Sequence, residues 1–253
     1  MNPHVATGYK SGSQIARRMT EDWCLRNVYC AACDTDRLDA TLPNTRAYDF
    51  SCGSCGARYQ LKAGIRWNER RVPDAAYDTM VQAIQHDTTP NLLLLQYTAA
   101  WTVRNLMLVP RFFLNLSCIE KRKPLGASAR RAGWVGCNIC LTSIAPEGKL
   151  PVVDRGRVLD AAQVRDMYGL VRPLSTLTPK RRGWTVDVLR CVHSLGGPSF
   201  ELADVYAFES QMAALYPGNR NVRAKMRQQL QELRDMGLIS FLGGGRYRFA
   251  HSR

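Results

Sequence analysis

Tyr29 to Lys62 reads YCAACDTDRLDATLPNTRAYDFSCGSCGARYQLK, and the spacings inside this stretch decide how the rest of the chain is read. Cys30-x-x-Cys33 and Cys52-x-x-Cys55 are separated by 18 residues, the pattern of a four-cysteine zinc site. Each Cys-x-x-Cys turn lets two thiolates face one cation, and the loop between the pairs brings the second pair round to close a tetrahedron. Four thiolates fill the coordination shell, so such a zinc is structural and does no chemistry. Threaded through the second pair is Asp49, followed 11 residues later by Gln60-Leu61-Lys62. Residues two apart on a strand share a face, so Gln60 and Lys62 are expected side by side, with Leu61 turned into the sheet. The zinc loop then staples the hairpin that carries these polar residues.

An acid ending one strand and a polar-x-Lys on the next is the layout of the PD-(D/E)xK nuclease core. The rest of the chain makes the likeness specific. YKSGSQ at Tyr9–Gln14, TEDW at Thr20–Trp23, both cysteine pairs, Asp49, KPL at Lys123–Leu125, ARRAGWVGCNI at Ala129–Ile139, RGWT at Arg182–Thr185 and MRQQLQELRDMG at Met226–Gly237 resemble the DpnI-type methyl-directed restriction endonucleases over nearly the whole length. The resemblance implies a Mg²⁺-dependent endonuclease that cuts double-stranded DNA at GATC when its adenine is N6-methylated. It also implies an α/β PD-(D/E)xK catalytic domain with an inserted zinc site, followed by a winged helix. Asp49 and Gln60, with the Leu61 carbonyl, are the expected Mg²⁺ ligands, and Lys62 orients the attacking water. Two positions depart from the pattern: Gln60 stands where the family has glutamate, and Tyr48 where the general nuclease motif has proline.

Composition agrees with a nucleic-acid partner. The chain has 253 residues, with 35 Lys+Arg against 21 Asp+Glu and a formal net charge of +14, which favours a polyanion. No apolar run approaches the roughly 20 residues needed to span a bilayer, and MNPHVATGYKSGSQ lacks the apolar core of a signal peptide. Nine cysteines, four in zinc spacing, suit a reducing cytoplasm better than a disulfide framework. A cytoplasmic, prokaryotic, monomeric enzyme is expected.

Residues 1–175 are expected to form the catalytic domain. Ser13 caps a helix to about Asn27, with Ile15, Met19 and Trp23 on its apolar face. Glu21 on this helix is read as a solvated residue, with a supporting metal or water contact as the alternative. A basic loop at Arg66–Val72 precedes a helix begun by Pro73 and ending near His86. Leu92–Tyr97 and Val103–Val109 read as strands, the first buried on both faces. Cys118–Trp134 has no usable period, and its Lys123, Arg130 and Arg131 suit a loop lying along phosphates. Trp134, after the double arginine, is either core or one wall of a methyl pocket. Cys137-x-x-Cys140 has no partner pair and reads as incidental, while Asp160 to Gln163 reads as a capping-box helix start.

Residues 176–182, with a proline and a basic triplet, are expected to be a linker to a winged helix at 183–253. Within it, helices are expected near Trp184–Leu195, Leu202–Tyr216 and Asn221–Met236, then a two-stranded wing around Gly243-Gly244-Gly245. On the third helix Val222, Met226, Leu230 and Leu233 face the core. Arg220, Ala224, Arg227, Gln228 and Gln231 point away, a mixture suited to base edges in the major groove. Arg246 and Arg248 in the wing are expected phosphate contacts. Two rival readings remain open: a methyl-DNA reader whose nuclease core is only a scaffold, suggested by Gln60, and a zinc-ribbon regulator with a winged helix. Burying one methyl is worth about 0.8 kcal/mol, about a fourfold preference, so strict methyl dependence needs two readings per site or a penalty on unmethylated adenine.

Overall fold

The computed structural model describes residues 1–42, 48–66 and 68–250; residues 43–47 of the zinc loop and Trp67 of the basic loop lie outside the described residues. Along the chain run α1 (Gly12–Asn27), β1 (Asp39–Ala40), β2 (Phe50–Ser51), β3 (Arg58–Gly64), β4 (Arg71–Ala76), α2 (Tyr77–Gln85), β5 (Asn91–Tyr97) and β6 (Val103–Val109). Then come β7 (Ile119–Lys121), β8 (Gly136–Cys140), β9 (Leu150–Asp154), β10 (Arg157–Val158), α3 (Ala161–Val171), α4 (Pro179–Ser194) and β11 (Ser199–Glu201). The chain continues through α5 (Leu202–Tyr206), α6 (Glu209–Leu215), α7 (Val222–Asp235), β12 (Ile239–Gly243) and β13 (Arg246–Phe249).

These elements cluster into two compact units, one made of Met1–Glu69, Thr89–Arg111 and Gly148–Gly169, the other of Arg70–Thr88, Phe112–Glu147 and Leu170–Arg253. The first unit holds a seven-stranded sheet in the order β1-β2-β3-β5-β6-β9-β10. β3 and β5 pair in parallel while the other neighbours are antiparallel, the mixed sheet expected from the sequence. Leu92, Leu93, Leu94 and Leu95 are each at most 2% exposed, so the leucine run is a strand covered on both faces. α1 lies against β3 and buries Met19, Thr20 and Cys24. Ser11, not Ser13, occupies its N-cap position.

The second unit holds the edge-to-edge sheet β4-β8-β7, the helices α2 and α4 to α7, and the sheet β11-β13-β12. Pro73, expected to start a helix, sits instead in β4, and the helix begins at Tyr77. β4 is an edge strand, where a residue without an N–H costs no ladder bond, and its register with β8 slips between Pro73 and Ala76. Residues 119–121, expected in a loop, pair with β8. The expected helix over 202–216 is broken at Ala207 and Phe208 into α5 and α6. The wing gains a third strand, because β11 pairs with β13.

The expected linker is also packed. Thr176 closes a 3-10 turn and Pro179 opens α4, with the Thr178 hydroxyl accepting from the Arg181 N–H at 3.5 Å. Arg182 is 3% exposed, donates to the Leu177 carbonyl at 3.0 Å and pairs with Asp87. Further along α4, the buried Asp187 carboxylate accepts from Ser117 (2.5 Å) and Tyr216 (2.6 Å). Burial and this carboxylate together raise the Tyr216 hydroxyl above its ordinary pKa. Tyr216 also stacks on Trp184 at 4.0 Å between centroids. A buried carboxylate with two short donors is stable, and losing one donor is costly, so Asp187 fastens the C-terminal helices to the 3-10 turn Leu116–Cys118 just before β7. Among the described residues no helix is long and apolar enough to cross a membrane.

Candidate functional site

Asp49 is held by backbone on both sides. Its N–H donates to the Tyr59 carbonyl at 2.8 Å, and its own carbonyl accepts from the N–H and the hydroxyl of Thr41, both at 3.2 Å. β2 pairs with β3 as Phe50 opposite Tyr59, and Asp49, just before β2, is set against the same tyrosine by its N–H bond to the Tyr59 carbonyl. The Asp49 carboxylate Oδ2 accepts from the Leu61 N–H at 2.7 Å, which fixes one carboxylate oxygen. Gln60, Leu61 and Lys62 are all half-buried on β3. Asp49, just before β2, is joined through the Leu61 N–H to the strand that carries Gln60, Leu61 and Lys62. Tyr48, at the position of the motif's proline, lies beneath the Arg58 guanidinium at 5.0 Å.

In front of Asp49 is a cavity of about 530 Å³ lined by Gln14, Arg17, Arg18, Glu21, Asp22, Thr41 and Tyr48 among others. Its polar wall is α1, so the TEDW helix reaches the acid of the site. Glu21, read from sequence chiefly as a solvated residue, is one of the lining groups.

The four cysteines form a compact cluster, their sulfurs within 4.8 Å of one another. Cys30 to Cys55 is 3.6 Å and Cys33 to Cys52 is 3.5 Å. A tetrahedron with Zn–S bonds of about 2.3 Å has edges of about 3.8 Å, so this donor set fits a single zinc. Burial raises the Cys30 thiol, whereas the Thr35 hydroxyl lowers that of Cys33. At Cys52 burial works upward, but hydrogen bonds from Thr35 and the Cys55 and Ser54 amides outweigh it and bring the thiol to about 6.

Two contacts tie the cluster to the sheet. The Tyr59 hydroxyl, on the residue before Gln60, lies 3.2 Å from the Cys30 sulfur and accepts from the Ala31 N–H at 3.1 Å. Arg165 of α3 donates to the Cys30 and Thr35 carbonyls at 3.2 and 3.1 Å. Arg165 lies 135 residues from Cys30, and nothing in the local sequence marks it. Cys137 is buried and Cys140 half-buried on β8, and neither joins a metal-binding cluster among the described residues.

The positions read as DNA contacts all lie in the second unit. Lys123, Arg130 and Arg131 are exposed on the excursion between β7 and β8. That excursion is laced by backbone bonds from Arg122 to Gly136 (2.9 Å), Leu125 to Trp134 (2.9 Å) and Gly133 to Leu125 (2.9 Å), so it is an ordered hairpin extension. Trp134 is half-buried, with the Arg131 guanidinium 4.9 Å from its ring centroid. A Cβ on Gly136 would stand 2.7 Å from two atoms of the indole, so only glycine admits the ring there.

On α7, Val222, Met226, Leu230 and Leu233 are buried as expected, and so is Gln229, whose side chain accepts from Thr185 at 2.8 Å. Ala224, Arg227, Gln228 and Gln231 are exposed on α7, Arg220 is exposed but lies before the Asn221 N-cap rather than on the helix, and Arg246 and Arg248 are exposed on β13 on either side of buried Tyr247.

The comparison with protein families agrees in both halves. The DpnI model, described as the Dam-replacing family, matches residues 1–177. The DpnI_C model, described as the Dam-replacing helix-turn-helix domain, matches residues 180–249. An α/β first part with a four-cysteine cluster and a C-terminal helix-turn-helix module is the architecture present. The chain belongs to the DpnI, or Dam-replacing, family.

Proposed function

We propose that the protein is a methyl-directed restriction endonuclease that hydrolyses phosphodiester bonds of double-stranded DNA at GATC sites carrying N6-methyladenine. Residues 1–175 serve as the catalytic domain of PD-(D/E)xK type and residues 183–253 as a DNA-reading domain, with 176–182 between them. The observation that carries this reading is the Asp49 carboxylate, clamped on the Leu61 N–H of β3 and lining a cleft.

The donors at this point are hard oxygens, which suit Mg²⁺ rather than a soft metal. Bound there, Mg²⁺ supplies Lewis-acid polarisation of the scissile phosphate and a water of lowered pKa. Asp49 would hold the ion, with the Gln60 amide oxygen and the Leu61 carbonyl as neutral donors. Lys62, on the same strand face as Gln60, orients the attacking water and offsets the charge that builds on the phosphate. The four cysteines hold a structural zinc that anchors β3 through Tyr59. Lys123, Arg130 and Arg131 contact phosphates, and Trp134 forms one wall of a methyl pocket. Arg220, Ala224, Arg227 and Gln228 read base edges, while Arg246 and Arg248 contact phosphates.

Gln60 favours a second reading, a methyl-DNA reader without turnover, because an amide brings no charge to the ion. A Mg²⁺ and Mn²⁺ titration of cleavage of fully methylated plasmid separates the two. The unsubstituted protein is expected to cut at elevated Mg²⁺, and Gln60→Glu to shift the requirement to lower concentration. Cleavage by Gln60→Glu alone, at any metal concentration, makes the natural protein a reader.

Recognition by α7 has its own test. Arg227→Ala or Gln228→Ala is expected to cost about 1–3 kcal/mol against methylated GATC and to erode sequence preference. Arg248→Ala is expected to weaken binding to every sequence alike and to flatten its salt dependence. Equal losses on methylated GATC and scrambled duplex for all three variants would remove base readout from α7.

A further inference from the structure

The cleft in front of Asp49 contains a carboxylate that the reading above does not use. α1 packs against β3, and two of its acids, Glu21 and Asp22, line the same cavity as Asp49. Resting on the nuclease reading, we propose that Glu21 is the second carboxylate ligand of the divalent ion at Asp49, supplying the charge that Gln60 lacks, and that Arg17 covers it until the ion binds.

Charge requires a second acid. Mg²⁺ is usually held through one or two carboxylates besides substrate oxygens and water, and with glutamine at position 60 only Asp49 contributes a negative charge from the strands. Of the two acids on α1, Glu21 is the more sheltered, its side chain 18% exposed against 27% for Asp22. Asp22 is paired with Arg26, which is outside the lining of the cleft, whereas the partner of Glu21, Arg17, is in that lining.

Glu21 is sheltered, with its side chain 18% exposed, whereas that of Arg17 is 68% exposed. The Arg17 Nε donates to Glu21 at 2.6 Å. A pair whose cation is this exposed is weak, so a divalent ion attracted by two carboxylates displaces the guanidinium. Once released, Arg17 lies on the cleft wall beside Arg18, where a phosphate can take it up.

The test is Mn²⁺ binding by the full chain, followed by electron paramagnetic resonance with and without an uncleavable methylated duplex. Glu21→Gln preserves shape and an acceptor for Arg17, and is expected to weaken Mn²⁺ at least about tenfold, since ligand charge sets affinity, with the melting temperature unchanged. Arg17→Gln is expected to tighten Mn²⁺ several-fold, and adding Gln60→Glu to Glu21→Gln to restore affinity. A merely structural salt bridge would move both single variants in the same direction. Unchanged Mn²⁺ affinity in Glu21→Gln, while Asp49→Asn weakens it, overturns this inference alone. If Asp49→Asn also has no effect, or the unsubstituted chain binds no Mn²⁺, the metal site itself fails and the inference with it.

Discussion

Asp49→Ala is expected to lower cleavage of methylated plasmid at least about a thousandfold, equivalent to about 4 kcal/mol of transition-state stabilisation. The loss is chemical rather than structural. The backbone bonds that seat residue 49, from its N–H to Tyr59 and from Thr41 to its carbonyl, do not involve the side chain. What the fold loses is the acceptor for the Leu61 N–H, worth about 1 kcal/mol and a few degrees of melting temperature in a chain of this length. Asp49→Asn separates the two effects, because it keeps an oxygen for Leu61 and removes the charge. Both variants are expected to bind methylated duplex like the parent, as the residues proposed to read DNA lie in the other compact unit. Lys62→Ala is expected to behave in the same way. A cleavage rate within tenfold of the parent in Asp49→Asn would move the reaction centre elsewhere.

Cys33→Ser is expected to cost more stability than any single core substitution. Structural zinc contributes on the order of 10–16 kcal/mol in small zinc domains, as much as the whole net stability of a typical protein. The consequence reaches the site because Tyr59 joins Cys30 to the strand that carries Gln60 and Lys62. The variant should therefore be recovered as insoluble or readily proteolysed protein, and the unsubstituted chain should contain close to one zinc per molecule by elemental analysis. Slow removal of the zinc should abolish cleavage although Asp49 and Gln60, the proposed Mg²⁺ ligands, are unchanged. A soluble, zinc-free and fully active protein with serine at 30, 33, 52 and 55 would refute the structural role.

Both predictions rest on features legible in the chain before its fold was known, for a physical reason. Cysteine pairs must approach one cation, so their chemistry imposes a spacing. An acid and a polar-x-Lys on adjacent strands obey the two-residue period of a sheet. The alternation of α7 is equally local, since four apolar residues at helical spacing must be turned inward, and the basic residues are left outside.

The prolines show where local reading ends. Pro73 was expected to open a helix and lies in β4, while Pro179 was expected in a linker and opens α4. Proline fixes φ and removes a donor, which suits a helix start and an edge strand alike. Only the pairing of β4 with β8 and the packing of α4 choose between them. Arg165 on the zinc loop and Asp187 under Tyr216 are likewise invisible to pattern, because each polar group finds its partner far away in sequence. Composition, cysteine spacing and apolar period pointed to an α/β protein with four cysteines able to share one metal ion and a helical C-terminal module. Tertiary packing decided which carboxylates share a cleft and which loop belongs with which unit, because those contacts exist only once distant segments are brought side by side.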